Sequence, residues 1–315
     1  MRTPVPGMRV AAVGVHVLDM HVIGIGSIPG GSDGQLVDTI RMSAAGTAGG
    51  TALVLSRLGA EVWSYGAVGT DPIADALLAL LGREGVDVSG LVRKREQQTS
   101  ASVLPVRPNG DRPAWHCIGA NGAFTLDDLP LDRLDGIGHL HLGGPEFLGG
   151  EAAARLLAHA RSIGPVTSLD VLAPGDPDLL AWIADALPHT DYLLPNDEQV
   201  LGFTGATSLA DGARALVDAG AGCVAVTRGS AGALVVTADE VVEVPAYAVD
   251  VVDTTGCGDA FSAGFLRGLS LDRDLRGAAS LGCAVAAEVA RGLGTDAGTY
   301  SLESVLASAA QGARR

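Results

Sequence analysis

The sequence predicts an α/β protein, a doubly wound and mostly parallel sheet with helices on both faces, plus a small β-flap that acts as a lid. Three observations carry this prediction. From His139 onward, short continuous apolar runs alternate with amphipathic stretches of helical period, the pattern of strands buried on both faces. The 315 residues are 47% hydrophobic, enough to build one large core. Early in the chain, the glycine-rich turn Ile28–Gly34 separates a buried-type run from an alternating one, which reads as a strand followed by a flap. We read residues 1–315 as a single domain, with the lid strands inside about 16–43 and 99–118.

In chain order, Arg9–Val17 reads as a buried strand and Gln35–Ser43 as an exposed one. Gly46–Leu58 has helical spacing and stops at Gly59; Glu61–Val68 is a strand and Pro72–Glu84 a helix with proline at its start. Thr99–Val106 and Ala114–Ile118 flank an Asn109-Gly110 turn, a hairpin that belongs to the flap or the sheet edge. Strands at His139–Leu142, Val166–Asp170 and Tyr192–Leu194 alternate with helices at Glu151–Ser162 and Asp178–Leu187. A helix over Leu209–Asp218, a strand at Cys223–Thr227 and a hairpin over Ala233–Val244 follow. The last third is helical, at Gly258–Leu269, Leu275–Ala290 and Leu302–Ala310.

Charge narrows the function. The formal charge is −15, and no basic run longer than Arg93-Lys94-Arg95 offsets it, so nucleic acid is a poor partner. Lys94 is the only lysine, which argues against a P-loop lysine or a Schiff base. No 18-residue apolar stretch calls for a membrane, and the first residues lack the pattern of a secretory signal. The four cysteines have no CxxC spacing and fit reduced thiols in a cytoplasm. Gly24-Ile25-Gly26-Ser27-Ile28-Pro29 fails the dinucleotide fingerprint at its last position and precedes no helix.

The most informative segment is Asp253-Thr254-Thr255-Gly256-Cys257-Gly258-Asp259-Ala260-Phe261. Turn residues give way there to a helix, so the amides near Gly256 and Gly258 sit at a helix N-terminus, where unpaired N–H groups and the dipole favour an anion. On spacing alone, Asp259 is either a carboxylate beside that anion or a helix-capping charge. With Ser262-Ala263-Gly264-Phe265 after it, the segment resembles the C-terminal signature of the ribokinase-like PfkB carbohydrate kinases, DTTGAGDxFxxGF, with Cys257 in place of alanine. Val68-Gly69-Thr70-Asp71 is similar to the family's VGxD segment, and Thr227 to Gly232 to its TxGxxG turn.

The resemblance implies an ATP-dependent kinase acting on a hydroxyl of a sugar or sugar-like molecule. Asp259 would be the general base, and the amides of Gly256, Cys257 and Gly258 the anion hole. Asp253 and Thr255 match positions that hold a monovalent cation such as K+ in some relatives, or they stabilise the turn. Thr227, Gly229 and Gly232 would line the ATP, with adenine against Cys283 and Ala287. Asn196-Asp197-Glu198-Gln199 resembles NxxE, which orders Mg2+, but glutamine stands fourth; Asn196 and Glu198 are the candidates. For the acceptor, Asp19 matches a hydroxyl-binding acid and Asn121 a polar contact, with Trp115 and His116 on the covering hairpin. Ala45 to Gly50 stands where the family has GGxxxN: Gly46 matches a glycine, and Gly50 replaces the asparagine, which leaves room for a different or larger substrate. The resemblance also implies a homodimer through the lid. A nucleoside kinase, and a sensor that binds nucleotide or sugar without turnover, are the alternatives.

Overall fold

The computed structural model describes residues 7–107 and 113–310. Its large sheet has nine strands: β1 (Arg9–Gly14), β4 (Glu61–Val68), β5 (Asp87–Arg93), β8 (His139–Gly143), β9 (Val166–Asp170), β10 (Tyr192–Leu193), β11 (Cys223–Thr227), β12 (Ala233–Thr237) and β13 (Val241–Val244). Their order is β13-β12-β11-β10-β9-β8-β1-β4-β5, parallel from β11 to β5 and antiparallel at the β12–β13 edge. The lid is a separate four-stranded sheet in which β2 (Val17–Ile23) lies between β3 (Thr39–Ala45) and β6 (Ala101–Val106), with β7 (Trp115–Cys117) beyond β6.

The helices divide between the two faces of the large sheet. On one face lie α1 (Gly49–Arg57), α2 (Pro72–Arg83), α8 (Cys257–Leu269), α9 (Leu275–Ala290) and α10 (Leu302–Ala310); the other carries α4 (Gly150–Ile163), α5 (Pro177–Ile183), α6 (Asp197–Thr204) and α7 (Leu209–Asp218), with the single turn α3 (Pro145–Leu148) leading into α4. Each face has its own apolar core, and strand β1 contributes to both: Val10 and Ala12 to the first, Ala11 and Val13 to the second. Fully buried leucines such as Leu53, Leu77, Leu140 and Leu156 each contribute roughly 1.5–3 kcal/mol of transfer free energy. Among the described residues no helix is long and apolar enough to cross a membrane, and no disulfide joins the four cysteines.

Local chemistry sets the elements near the site. Asp71 caps α2 by accepting from the Ala74 amide at 3.0 Å, and it also accepts from the Thr99 amide and hydroxyl at 2.8 and 2.6 Å, which ties the helix to the start of the lid hairpin. The expected strand Arg9–Val17 is two strands. Gly14 has φ +120°, and a Cβ there would lie 2.0 Å from the Gly143 carbonyl oxygen, so the chain turns out of the large sheet and enters the lid as β2. The exposed lid strand runs over Thr39–Ala45 rather than Gln35–Ser43. The hairpin pairs as expected, Ala101 with Cys117 and Ser102 with His116, while its Asn109-Gly110 turn lies outside the described residues. The edge strand β5 and the short helix α6 were not legible in the hydrophobic pattern, because β5 buries only Leu91 and α6 opens on polar residues.

Candidate active site

The segment from Asp253 to Gly256 is held from three sides. Asp253 Oδ1 accepts from the Thr255 amide at 3.0 Å and from its hydroxyl at 2.8 Å, while Oδ2 accepts from the Gly294 amide at 3.0 Å. Buried His21, on lid strand β2, approaches the same carboxylate at 3.6 Å. The 293–298 loop is clamped by Arg57, which donates to the Asp296 and Ala297 carbonyls at 2.8 and 2.9 Å and pairs with Glu84, and by lid residue Arg41, which pairs with Asp296 at 2.9 Å. Gly256 rests on that loop with φ +77°, and a Cβ there would lie 2.2 Å from Thr295 Oγ1, so only glycine fits.

Helix α8 therefore starts at a fixed place. Its first amides include those of Gly256 and Gly258, which donate to no carbonyl among the described residues, whereas the Cys257 amide donates to Thr254 at 3.2 Å. Of the three amides expected to form the anion hole, two are open. The helix dipole adds partial positive charge at the same point.

Asp259 lies in the first turn of α8 and is pushed up to about 8, by burial first and by the negative charge of Asp19 second. Asp170, at the carboxyl end of β9, accepts from the Ser262 hydroxyl at 3.3 Å and is raised well above the carboxylate range by burial and then by Asp259. The charge that raises Asp259 beyond the effect of burial is that of Asp19. Nearby, Glu146 accepts from the Leu172 and Ala173 amides at 2.8 and 2.6 Å, and burial raises it too. Sequence reading passed over Asp170 as a site residue. Its signal was its position, since ligands of such sheets gather at the carboxyl ends of parallel strands.

Gly50 does not open space for the acceptor as its residue type led us to expect. A Cβ at Gly50 would lie 2.1 Å from Asp259 Oδ2 and 2.8 Å from its Cγ, so the carboxylate itself occupies the room a side chain would take. Gly46, with φ +90°, turns the chain from β3 toward α1.

In the lid, β2 and β6 place Asp19 opposite Ser102, and β7 places His116 opposite Ser102. These three share one face, on which Ser102 Oγ and His116 Nδ1 lie 3.0 Å apart. The other face is apolar and exposed, with Ile40 63%, Met42 47% and Trp115 53% accessible. Asn121, expected to touch the acceptor, commits both ends of its amide to His16: Oδ1 accepts from the His16 amide at 3.2 Å and Nδ2 donates to its carbonyl at 3.0 Å. That bond fastens the stretch between β1 and the lid.

On the other side of the α8 N-terminus lies a cavity of about 980 Å³ lined by Thr227, Gly229, Gly232, Gly258, Cys283 and Ala287, which gathers the residues expected to hold a nucleotide. Asn196 bridges to Thr227 at its edge. Asn196 caps α6, its Oδ1 accepting from the Gln199 amide at 2.8 Å, and Gln199 Oε1 accepts in return from the Asn196 amide at 2.9 Å. Gln199 Nε2 also donates to the Val171 and Ala173 carbonyls at 2.8 and 2.9 Å. An acid at 199 could make neither of those bonds, which accounts for the departure from NxxE. Glu198 is exposed in the first turn of α6. No group of three or more acidic, histidine or cysteine side chains among the described residues forms a metal cage. Lys94 is paired with Asp128 at 2.7 Å.

A family profile described as pfkB family carbohydrate kinase matches residues 12–301. An uncharacterized sugar kinase of Archaeoglobus fulgidus is 31% identical over 74% of this chain and 93% of its own length. A nucleoside kinase of Methanothermobacter thermautotrophicus is 27% identical over 90% of each chain. Among solved structures, a ribokinase-type protein of E. coli in complex with ATP and Mg2+ has the same fold, with TM-score 0.81 and 21% identity over 96% of this chain and 99% of that one. The chain belongs to the pfkB family of carbohydrate kinases and is an enzyme of the ATP-dependent carbohydrate kinase class.

Proposed function

We propose that the protein transfers the γ-phosphoryl group of ATP to a hydroxyl of a neutral sugar or sugar-like molecule, with Asp259 as general base. The observation that carries this reading is the position of Asp259, a carboxylate raised to about 8 beside the open amides of Gly256 and Gly258, between the nucleotide cavity and the polar face of the lid. A base with its affinity for a proton raised by burial takes the acceptor proton as the oxygen attacks phosphorus in line and ADP leaves. Charge developing on the transferring group meets the two amides and the end of the α8 dipole, which are already oriented and need no rearrangement.

Mg2+ fits as an ion carried by the phosphates, because the chain offers isolated oxygen donors at Asn196 and Glu198 rather than a closed cage. When bound, it would neutralise part of the triphosphate charge. We assign Asp253 and Thr255 to fastening the turn, since Asp253 accepts from the Thr255 amide and hydroxyl and from the Gly294 amide.

Neutrality of the acceptor follows from the carboxylates. Asp19 and Asp259 face the acceptor side, and the arginines beside the site, Arg41 and Arg57, are paired with Asp296 and Glu84. A phosphorylated or carboxylated acceptor would meet repulsion from these carboxylates, and both arginines are already held by acids of their own. A nucleoside acceptor is the second reading, favoured by the likeness to a nucleoside kinase over nine-tenths of the chain. The apolar outer face of the lid, with Met20, Val103 and Trp115 in neighbouring registers, favours a homodimer that covers it with a second copy. The test is ADP release with a panel of neutral sugars, sugar acids, sugar phosphates and nucleosides, with 31P NMR of the product. A neutral hydroxyl acceptor that stimulates release supports the reading; ATP binding without turnover on any acceptor supports a sensor instead.

A further inference from the structure

Strands β8 and β9 carry a buried polar seam beneath α1 and α8. His141 pairs in register with Ser168, and Asp170 follows Ser168 on the same face of the sheet. His139 Nε2 and His141 Nδ1 both lie 2.9 Å from Ser168 Oγ, and His141 Nε2 lies 3.0 Å from the Thr47 carbonyl oxygen. The three side chains are buried.

Only one arrangement of protons satisfies this seam with neutral rings. The Thr47 carbonyl can only accept, so His141 carries its proton on Nε2 and its Nδ1 is an acceptor. The Ser168 hydroxyl must donate to that Nδ1, and with its proton committed, Oγ accepts from His139 Nε2–H. Burial keeps both rings neutral, lowering His141 to about 4 and His139 to about 3. The far end of the seam is the 46–48 loop, which leads into α1. It lies directly on the strand, since a Cβ at Gly143 would be 2.4 Å from the Ala48 nitrogen. Thr47 Oγ1 has no partner, so His141 grips the loop by its backbone. Three residues on, Gly50 faces the Asp259 carboxylate.

We propose that His141 is a positioning residue for phosphoryl transfer, seating the 46–48 loop ahead of α1 through the relay His139 to Ser168 to His141 to Thr47 and so setting where Gly50, in the first turn of α1, meets Asp259. The proposal rests on Asp259 being the base. His141→Leu removes the donor, and because a displacement near 1 Å at a reacting group costs about 100-fold, acceptor kcat/KM is expected to fall ~10–100-fold. The KM for ATP is expected to stay within about twofold, because the nucleotide cavity does not touch this loop. His141→Gln, whose amide can donate from the Nε2 position, restores acceptor kcat/KM to within about threefold. Side-chain 15N NMR of the wild type shows His141 with a protonated Nε2 and a bare Nδ1.

A Leu variant with unchanged acceptor kcat/KM, equal losses for ATP and acceptor, a Gln variant as impaired as Leu, or a proton on His141 Nδ1 would each overturn the relay. Should His141→Leu fail to fold, Ser168→Ala serves in its place: it is expected to lower acceptor kcat/KM with the KM for ATP preserved, and no change would overturn the relay. A wild type active on an acceptor but indifferent to Asp259→Asn would overturn the base assignment, which is a separate result.

Discussion

Replacing Gly50 by alanine puts one methyl group into the space held by the Asp259 carboxylate. The new Cβ would lie 2.1 Å from Oδ2, 2.8 Å from Cγ and 3.1 Å from Cβ of Asp259. Carbon and oxygen settle a little over 3 Å apart, so the carboxylate must retreat by about 1 Å or rotate away. The fold absorbs this cheaply, because the obstructed atoms end a side chain and alanine suits the first turn of α1 better than glycine by up to about 1 kcal/mol. Catalysis does not absorb it, since a misplacement of about 1 Å costs roughly 100-fold, or about 2.7 kcal/mol in the barrier. We expect Gly50→Ala to lower kcat about 100-fold in steady-state ADP release, with ATP affinity and melting temperature nearly unchanged. A variant with kcat within threefold of wild type would refute the reasoning, as would a crystal structure of the variant with Asp259 unmoved.

Other outcomes follow from the same geometry. Because the folded protein holds the Asp259 proton up to about 8 while the unfolded chain releases it near 4, this group leaves stability untouched below about pH 4, erodes it between 4 and 8, and costs a constant amount above. Asp259→Asn is therefore expected to melt higher than wild type at pH 8.5 and equally at pH 4 by calorimetry; equal melting at both would contradict the buried charge. In the active enzyme the same proton must be gone, so kcat/KM for the acceptor should rise with pH along a limb centred at about 8, and a flat profile from 6 to 9 would argue against Asp259 as base. Gln199→Glu loses two bonds to carbonyls and sets a carboxylate against them, a cost of about 2–4 kcal/mol that thermal melts would register as a drop of several degrees. A variant as stable as wild type would mean that the glutamine is not the clamp described. Trp115→Asp, on the exposed lid face, is expected to shift the protein toward monomer in sedimentation; an unchanged mass would remove the lid as interface.

The order of legibility is physical. The α8 start was legible because turn residues give way there to a helix and because the segment matches a family signature with one replacement, Cys257; spacing alone left Asp259 either a carboxylate beside an anion or a helix-capping charge. The regular half of the sheet was legible for a different reason: strands buried on both faces have no freedom to alternate. What stayed hidden depends on contacts between distant residues. The break at Gly14 is imposed by the Gly143 carbonyl from a strand more than a hundred residues later. Gln199 looked like a damaged metal motif until its partners at Val171 and Ala173 were seen. Asp170 read as an ordinary end of strand, and only burial together with the nearby Asp259 charge, both set by the tertiary fold, raises its proton affinity. Asn121 had the right residue type for an acceptor contact, but its amide is committed to His16.

The most direct test of the central claim compares wild type with Asp259→Asn in acceptor-stimulated ADP release, with ATP binding followed by calorimetry on both. Removal of a general base that acts at the reacting oxygen is expected to cost at least about 100-fold in kcat while ATP binds as before. An Asn variant that turns over acceptor at the wild-type rate would contradict the account.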